Sequence, residues 1–205
     1  MPTHLAERLS SCTRLGSILD CVLDTGLELT GASLGNIQLM DWPAGYLTIE
    51  AQHGFQREFL DFFRRVKADS GSACGRALRE QRAVVIKDVM LDEDFVPYRA
   101  VAERARFRSV QSIPVISSSG AFVGILSTHF PTPRRPTECE MDALRSLAAL
   151  AANAIIRQRA RLRVKDLDAT ERCIHRACVA IRHSRALLDR VEARSGGRSS
   201  DDWRW

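Results

Sequence analysis

The chain has 205 residues, 45% hydrophobic and 27% charged, which fits one globular domain with added elements and excludes a collagenous or mostly disordered chain. Its net charge of +5 is uneven: residues 1–156 carry 17 basic and 18 acidic residues, and residues 157–198 carry 12 basic and 5 acidic ones. The six cysteines form no CxxC pair, which excludes zinc ribbons and redox dithiols of that type, and residues 1–16 hold no apolar signal-peptide run, so a soluble cytoplasmic protein is expected.

Leu5, Leu9, Cys12, Leu15, Leu19, Val22, Leu23 and Leu27 fall at helical steps, so residues 5–30 read as one amphipathic helix capped by Gly31. Leu34–Met40 and Tyr46–Ala51 read as strands joined by a turn at Asp41, Pro43 and Gly45. Phe59, Phe62, Phe63 and Val66 return to helical spacing over 56–66. The loop Asp69–Ser72 contains an N-cap for a short helix near 73–81. Val84–Ile86 reads as a buried strand, Asp88–Pro97 as an acidic loop and Pro97–Arg106 as a helix. Ser109–Ile116 and Phe122–Phe130 form a second hairpin around Ser117–Gly120. Pro114 lacks a ladder donor and needs an edge position or a bulge.

Thr137 and Glu140 form a capping box that opens a helix free of Pro and Gly to about Arg194. Its most apolar stretch, Leu144–Ile156, includes Arg145, Ser146 and Asn153 and is too short and mixed to span a bilayer. Leu167, Ile174, Ile181 and Leu188 recur every seven residues, with Thr170, Ala177, Ser184 and Val191 three further on. That seam suits a parallel two-stranded coiled coil and hence a homodimer; packing back on the first helix is the alternative. Arg157, Arg159, Arg161, Arg163 and Lys165 solvate the helix. No DNA-reading motif or interleaved aromatics accompany them, so no specific nucleic acid is expected.

The element order does not alternate as βαβ units. It implies an α+β fold with a central antiparallel β-sheet flanked by helices and a long C-terminal helix. Four segments follow: residues 1–33, an N-terminal amphipathic helix; 34–156, the sheet domain; 157–194, a basic helix; and 195–205, a flexible polar tail with Trp203 and Trp205.

Five pieces, in this order and spacing, resemble a GAF domain of the kind found in bacterial sensor proteins and the input regions of histidine kinases. They are GSACGRAL at 71–78, VVIKDV at 84–89, DEDFVPYRAVAERARFRSVQSIPV at 92–115, GILSTHF at 124–130 and ECEMDALRSLAALAANAII at 138–156. The resemblance implies a regulatory module rather than an enzyme. Helices would cover one sheet face and a small-molecule pocket the other, with flanking helices relaying a signal to a separate histidine kinase or other signalling protein. It names no cofactor.

The pocket candidates are His53, Cys74, Phe95, Tyr98, Gln111 and His129. Cys74 stands at a helix start, where amides and the helix dipole acidify a thiol, so it is a candidate redox sensor or ligand contact. The plainer reading is a small packing residue. His53 and His129 lie at strand ends, where a ligand, a haem iron or loop backbone would engage them. A non-sensing dimeric interaction module is the second reading. A third is an enzyme similar to free methionine sulfoxide reductases, but residues 92–108 contain none of the further cysteines it would need. Cys173 and His175 are not adjacent, unlike the Cys-His pair of bilin binders. Only 22 residues follow His183, too few for a kinase ATP-binding domain. Asp92, Glu93 and Phe95 do not match the order of the cyclic-nucleotide constellation, and no Gly-rich phosphate loop is present.

Overall fold

The computed structural model describes residues 2–195, and the chain divides into two compact units, residues 1–159 and 160–205. The first unit opens with α1 (Pro2–Ser11) and α2 (Leu15–Thr30). The single helix expected over 5–30 is therefore broken at Cys12–Arg14. Side chains take up backbone groups at the break, one of them from far along the chain. Cys12 donates its thiol to the Arg8 carbonyl, Thr13 offers its carbonyl to Gln158 Nε2 at 2.7 Å, and Arg14 is extended. Gly31 caps α2 in the left-handed conformation at φ 65°, as its sequence position suggests.

Next come β1 (Leu34–Asp41), β2 (Tyr46–His53), α3 (Arg57–Phe62), α4 (Ala73–Glu80) and β3 (Val84–Ile86). A 3-10 turn (Val96–Tyr98) leads into α5 (Arg99–Arg104), followed by β4 (Ser109–Ile116), β5 (Phe122–Phe130) and α6 (Glu138–Ser195). The five strands form one antiparallel sheet in the order β2-β1-β5-β4-β3. The architecture is α+β. β3, expected as a buried strand, is an edge strand. It pairs only with β4, so Val84 and Ile86 are buried while Val85 is exposed. Because β3 reaches only Val110–Ser112, Pro114 lies where β4 has a single neighbour, next to the register shift at Val115/Ile116. That position tolerates a missing donor.

Strand alternation sorts the side chains into two layers. Ile37, Leu39, Ile113 and Leu126 face a core built with Ile18, Leu19, Val22 and Leu23 of α2 and Leu144, Leu147 and Ile155 of α6. Leu47, Val110 and Ile125 face a second core, with Phe55, Phe59, Phe63, Phe95 and Phe107 from the α3–α5 side. At Gly124 a Cβ would stand 2.0 Å from the Gln38 carbonyl, so only glycine lets β5 approach β1 there.

The capping box forms. Thr137 Oγ1 accepts from Glu140 N at 3.2 Å, and Glu140 Oε2 accepts from Thr137 N at 2.7 Å. Arg134 ties this corner together. Its guanidinium donates to the Thr30 carbonyl that ends α2, pairs with Glu140 at 2.5 Å and lies 4.2 Å from the Phe130 ring centre.

In the second unit α6 runs on as helix, and Leu167, Ile174 and Ile181 of the heptad row are exposed. The Leu188 side chain of that row and the Val191 side chain of the row beside it lie outside the described residues. So does the tail expected from residue 195, apart from Ser195 itself, which ends α6. No helix among the described residues is long and apolar enough to cross a membrane.

Candidate functional site

A narrow cavity of about 20 Å³, room for about one water, lies between the sheet and the α3–α5 layer. Three strands make its floor. Asn36 of β1 sits opposite Ser127 of β5, which sits opposite Ser112 of β4, so three polar side chains form one row across the sheet. The Ser112 and Ser127 hydroxyls are 2.8 Å apart. His129 lies one step along β5 from this row and Gln38 one step along β1 the other way. The roof is largely aromatic: Phe59, Phe63, Phe95 and Phe107, with Ser72, Ala73 and Cys74 from the start of α4. No Asp, Glu, Lys or Arg lines the cavity.

The floor holds buried polar groups in excess of their partners. Asn36 (4% exposed), Gln38 (1%) and His129 (5%) carry Oδ1, Oε1 and Nδ1 atoms that are buried with no hydrogen-bond partner. Each such atom costs about 1–3 kcal/mol in the folded state. His129 is packed edge-on by Phe55 (5.0 Å between centroids), Phe59 (5.9 Å) and Phe107 (4.7 Å). Burial pulls its pKa down to about 3, so the imidazole is neutral, with one donor and one acceptor nitrogen.

Cys74 is tied into a chain of side-chain hydrogen bonds. Its sulfur lies 3.3 Å from Ser72 Oγ, which is 2.8 Å from Ser70 Oγ, which is 2.9 Å from Tyr98 Oη. Ser72 also caps α4 by accepting from Gly75 N. The helix start was expected to acidify this thiol. The opposite holds: burial pushes its pKa up and outweighs the Ser72 and backbone hydrogen bonds, so Cys74 is a neutral thiol.

Ion pairs outside the cavity pin the roof. Arg76 of α4 donates to both oxygens of Asp92 at 3.1 and 2.6 Å and lies 3.6 Å from Asp94. Asp92 Oδ1 accepts from Phe95 N at 3.0 Å, and Arg99 donates to the Asp92 and Val89 carbonyls. The loop that delivers Phe95 is thus held by two arginines.

Of the residues singled out from sequence, Cys74, Phe95 and His129 come together in this cavity. Tyr98 stands behind the roof, packed 5.3 Å from Phe95 and linked to Cys74 through Ser70 and Ser72. Gln111 lies on the opposite face of β4, donating to Thr128 at 2.9 Å; its neighbour Ser112 takes the cavity position. His53 is exposed at the end of β2, paired with Gly35 and away from the cavity. Sequence reasoning did not single out Asn36, Gln38, Ser112 or Ser127. Their signal was the alternation of Asn36 and Gln38 with Ile37 and Leu39, the pattern of a strand with two different faces. Among the described residues, no group of three or more His, Cys, Asp and Glu side chains is placed to hold a metal ion.

The family model described as GAF domain matches residues 12–156. A methyl sulfide methyltransferase-associated sensor of Methanosarcina acetivorans is 22% identical over 153 residues, 74% of this chain, which spans only 15% of that relative's length. A domain of a two-component sensor histidine kinase protein from Sinorhizobium meliloti matches with a TM-score of 0.62 at 16% identity, covering 75% of this chain and 99% of that one. A free methionine-R-sulfoxide reductase from Neisseria meningitidis, solved with its substrate, matches with a TM-score of 0.65 at 19% identity, covering 78% and 89%. These two structures share the fold with this chain.

Proposed function

The chain belongs to the GAF domain family, and on that premise we propose that it is a cytoplasmic sensory module that binds a small molecule in the cavity beneath Phe95. The observation that carries this reading is the set of unpartnered buried atoms on Asn36, Gln38 and His129, all on cavity-lining residues. A structure that tolerates three such atoms in one place gives up stability for a ligand that satisfies them. The sensor relative and the sensor histidine kinase neighbour support the same reading.

The floor strands provide the relay. β1 turns Asn36 and Gln38 toward the cavity, and Ile37 and Leu39 toward the α2–α6 core. A ligand that shifts β1 repacks those helices, provided that it binds the two arrangements with different affinity. The output is a change in α6, whose exposed heptad row pairs two copies of the chain and passes the state to a separate signalling protein. Catalysis is no part of this reading: Cys74 is a neutral thiol, and no second cysteine lines the cavity.

Native mass spectrometry of the protein from its own cells, set against its denatured mass, tests the proposal. The expected result is a dimer carrying a small molecule that is lost from the Asn36→Leu variant. A bare dimer, with no stabilisation by the small-molecule fraction of the same cells, would leave a non-sensing interaction module instead.

A further inference from the structure

Away from the cavity, at the break between α1 and α2, two cysteines meet beside one backbone carbonyl. Cys12 Sγ lies 3.3 Å from the Arg8 carbonyl and 3.7 Å from the Ser17 carbonyl. Within α2 the Ser17 carbonyl points toward the Cys21 amide, one turn further on. Helical side chains lean back toward the N-terminus of their helix, so the Cys21 thiol leans toward that same carbonyl. Both cysteines are half-buried against the α2–α6 core. Cys21 also feels the charges of Cys12 and Arg8. We infer that Cys12 and Cys21 are a modifiable dithiol, which closes to a disulfide under a peroxide oxidant and is reopened by a small thiol.

The surroundings suit that chemistry. Burial pushes the Cys21 thiol up, and the Arg8 guanidinium acts against this by favouring the thiolate. Partial exposure beside a cation is the setting of a reactive thiol, whereas Cys74 is enclosed as a neutral thiol in the other layer. One thiolate attacks a peroxide oxygen, breaking the O–O bond, releasing hydroxide and leaving a sulfenic acid. The second thiolate attacks the sulfenic sulfur, forms the S–S bond and expels hydroxide. With the two thiol protons, two waters leave, and two electrons have passed from the sulfurs to the peroxide. Two molecules of a thiol such as glutathione reverse the link by exchange and become a disulfide themselves. The site also bears on α6. Thr13, next to Cys12, holds Gln158 of α6 through its carbonyl. A disulfide sulfur has no proton to donate, so closing the link removes the Cys12 bonds to Arg8 and Ser17 and resettles the backbone that holds Gln158.

The test uses the full chain with the exposed α6 cysteines replaced, as Cys139→Ser, Cys173→Ser and Cys178→Ser. Hydrogen peroxide is added, the remaining free thiols are capped, and peptide mass mapping locates any link, while NMR follows the Gln158 side-chain amide. The expected result is that Cys12 and Cys21 are lost together as one link within the chain. Reduced glutathione restores both thiols, and the Gln158 signal moves as the link forms and returns as it opens. Adding Cys12→Ser or Cys21→Ser should abolish the link and the Gln158 response alike, and either variant suffices if the other fails to fold. Two thiols that stay free, or that become separate sulfur acids with no link, overturn the inference. A link that leaves Gln158 unmoved overturns its effect on α6. The cavity takes no part in this test, so its failure leaves the sensory reading standing, and failure of the sensory reading leaves the dithiol standing.

Discussion

His129 couples the cavity to pH. Its pKa is about 3 in the folded chain and about 6.5 when unfolded. Between those values the unfolded chain binds a proton that the folded chain does not, so stability falls as pH drops below about 6.5, down to about 3. The slope from this one group is at most about 1.4 kcal/mol per pH unit. Urea unfolding at pH 7, 6 and 5 should show a decline that the His129→Gln variant largely loses; equal slopes would mean that His129 is not buried as a neutral base. Asp88 and Glu140 do not confuse this window. Arg108 holds the Asp88 carboxyl below its usual range. Burial raises Glu140, but hydrogen bonds from Thr137 and Arg134 more than offset it. Both contributions are lost only at lower pH, and both are present in the variant as well. At this scale the sequence was partly legible. The predicted helix start and the strand end pointed to Cys74 and His129. Asn36 and Gln38 passed unnoticed because polar alternation in a strand ordinarily marks a solvent face. Here α3–α5 cover that face. Gln111 fell on the wrong side because one residue of register exchanges the faces.

The roof is the element that closes the cavity over the sheet. Asp92 is its keystone: it takes two hydrogen bonds from Arg76 and one from Phe95 N. Asp92→Ala strands the partly buried Arg76 and frees the Phe95 loop, at a cost of about 2–3 kcal/mol. Amide hydrogen exchange over residues 88–98 should accelerate strongly while β1 and β5 stay protected. Uniform acceleration would mean that the loop unfolds only with the whole unit. Elements with a clear local signal were readable in advance: both hairpins, α4 with an N-cap in the loop before it, and the capping box at Thr137 all formed. The failures came where a long-range contact decided the outcome. The break between α1 and α2 depends on Gln158, 145 positions away from Thr13. The exposure of Val85 depends on β3 having only one neighbour.

For the molecule as a whole, the fold followed from hydrophobic pattern and element order, because a sheet with two apolar layers leaves few topologies. The cavity did not, because it is a property of where two layers fail to fill space. That sheet is also what the proposed relay works through: one surface lines the cavity and the other carries α2 and the start of α6. Hydrogen–deuterium exchange on the full chain tests it most directly, with and without the molecule retained through purification, or with the small-molecule fraction of the same cells if none is retained. Binding should alter protection in the α3–α5 roof and also in α2 and residues 138–159, which do not line the cavity. Changes confined to the roof and floor, with those helices unaltered, would contradict it.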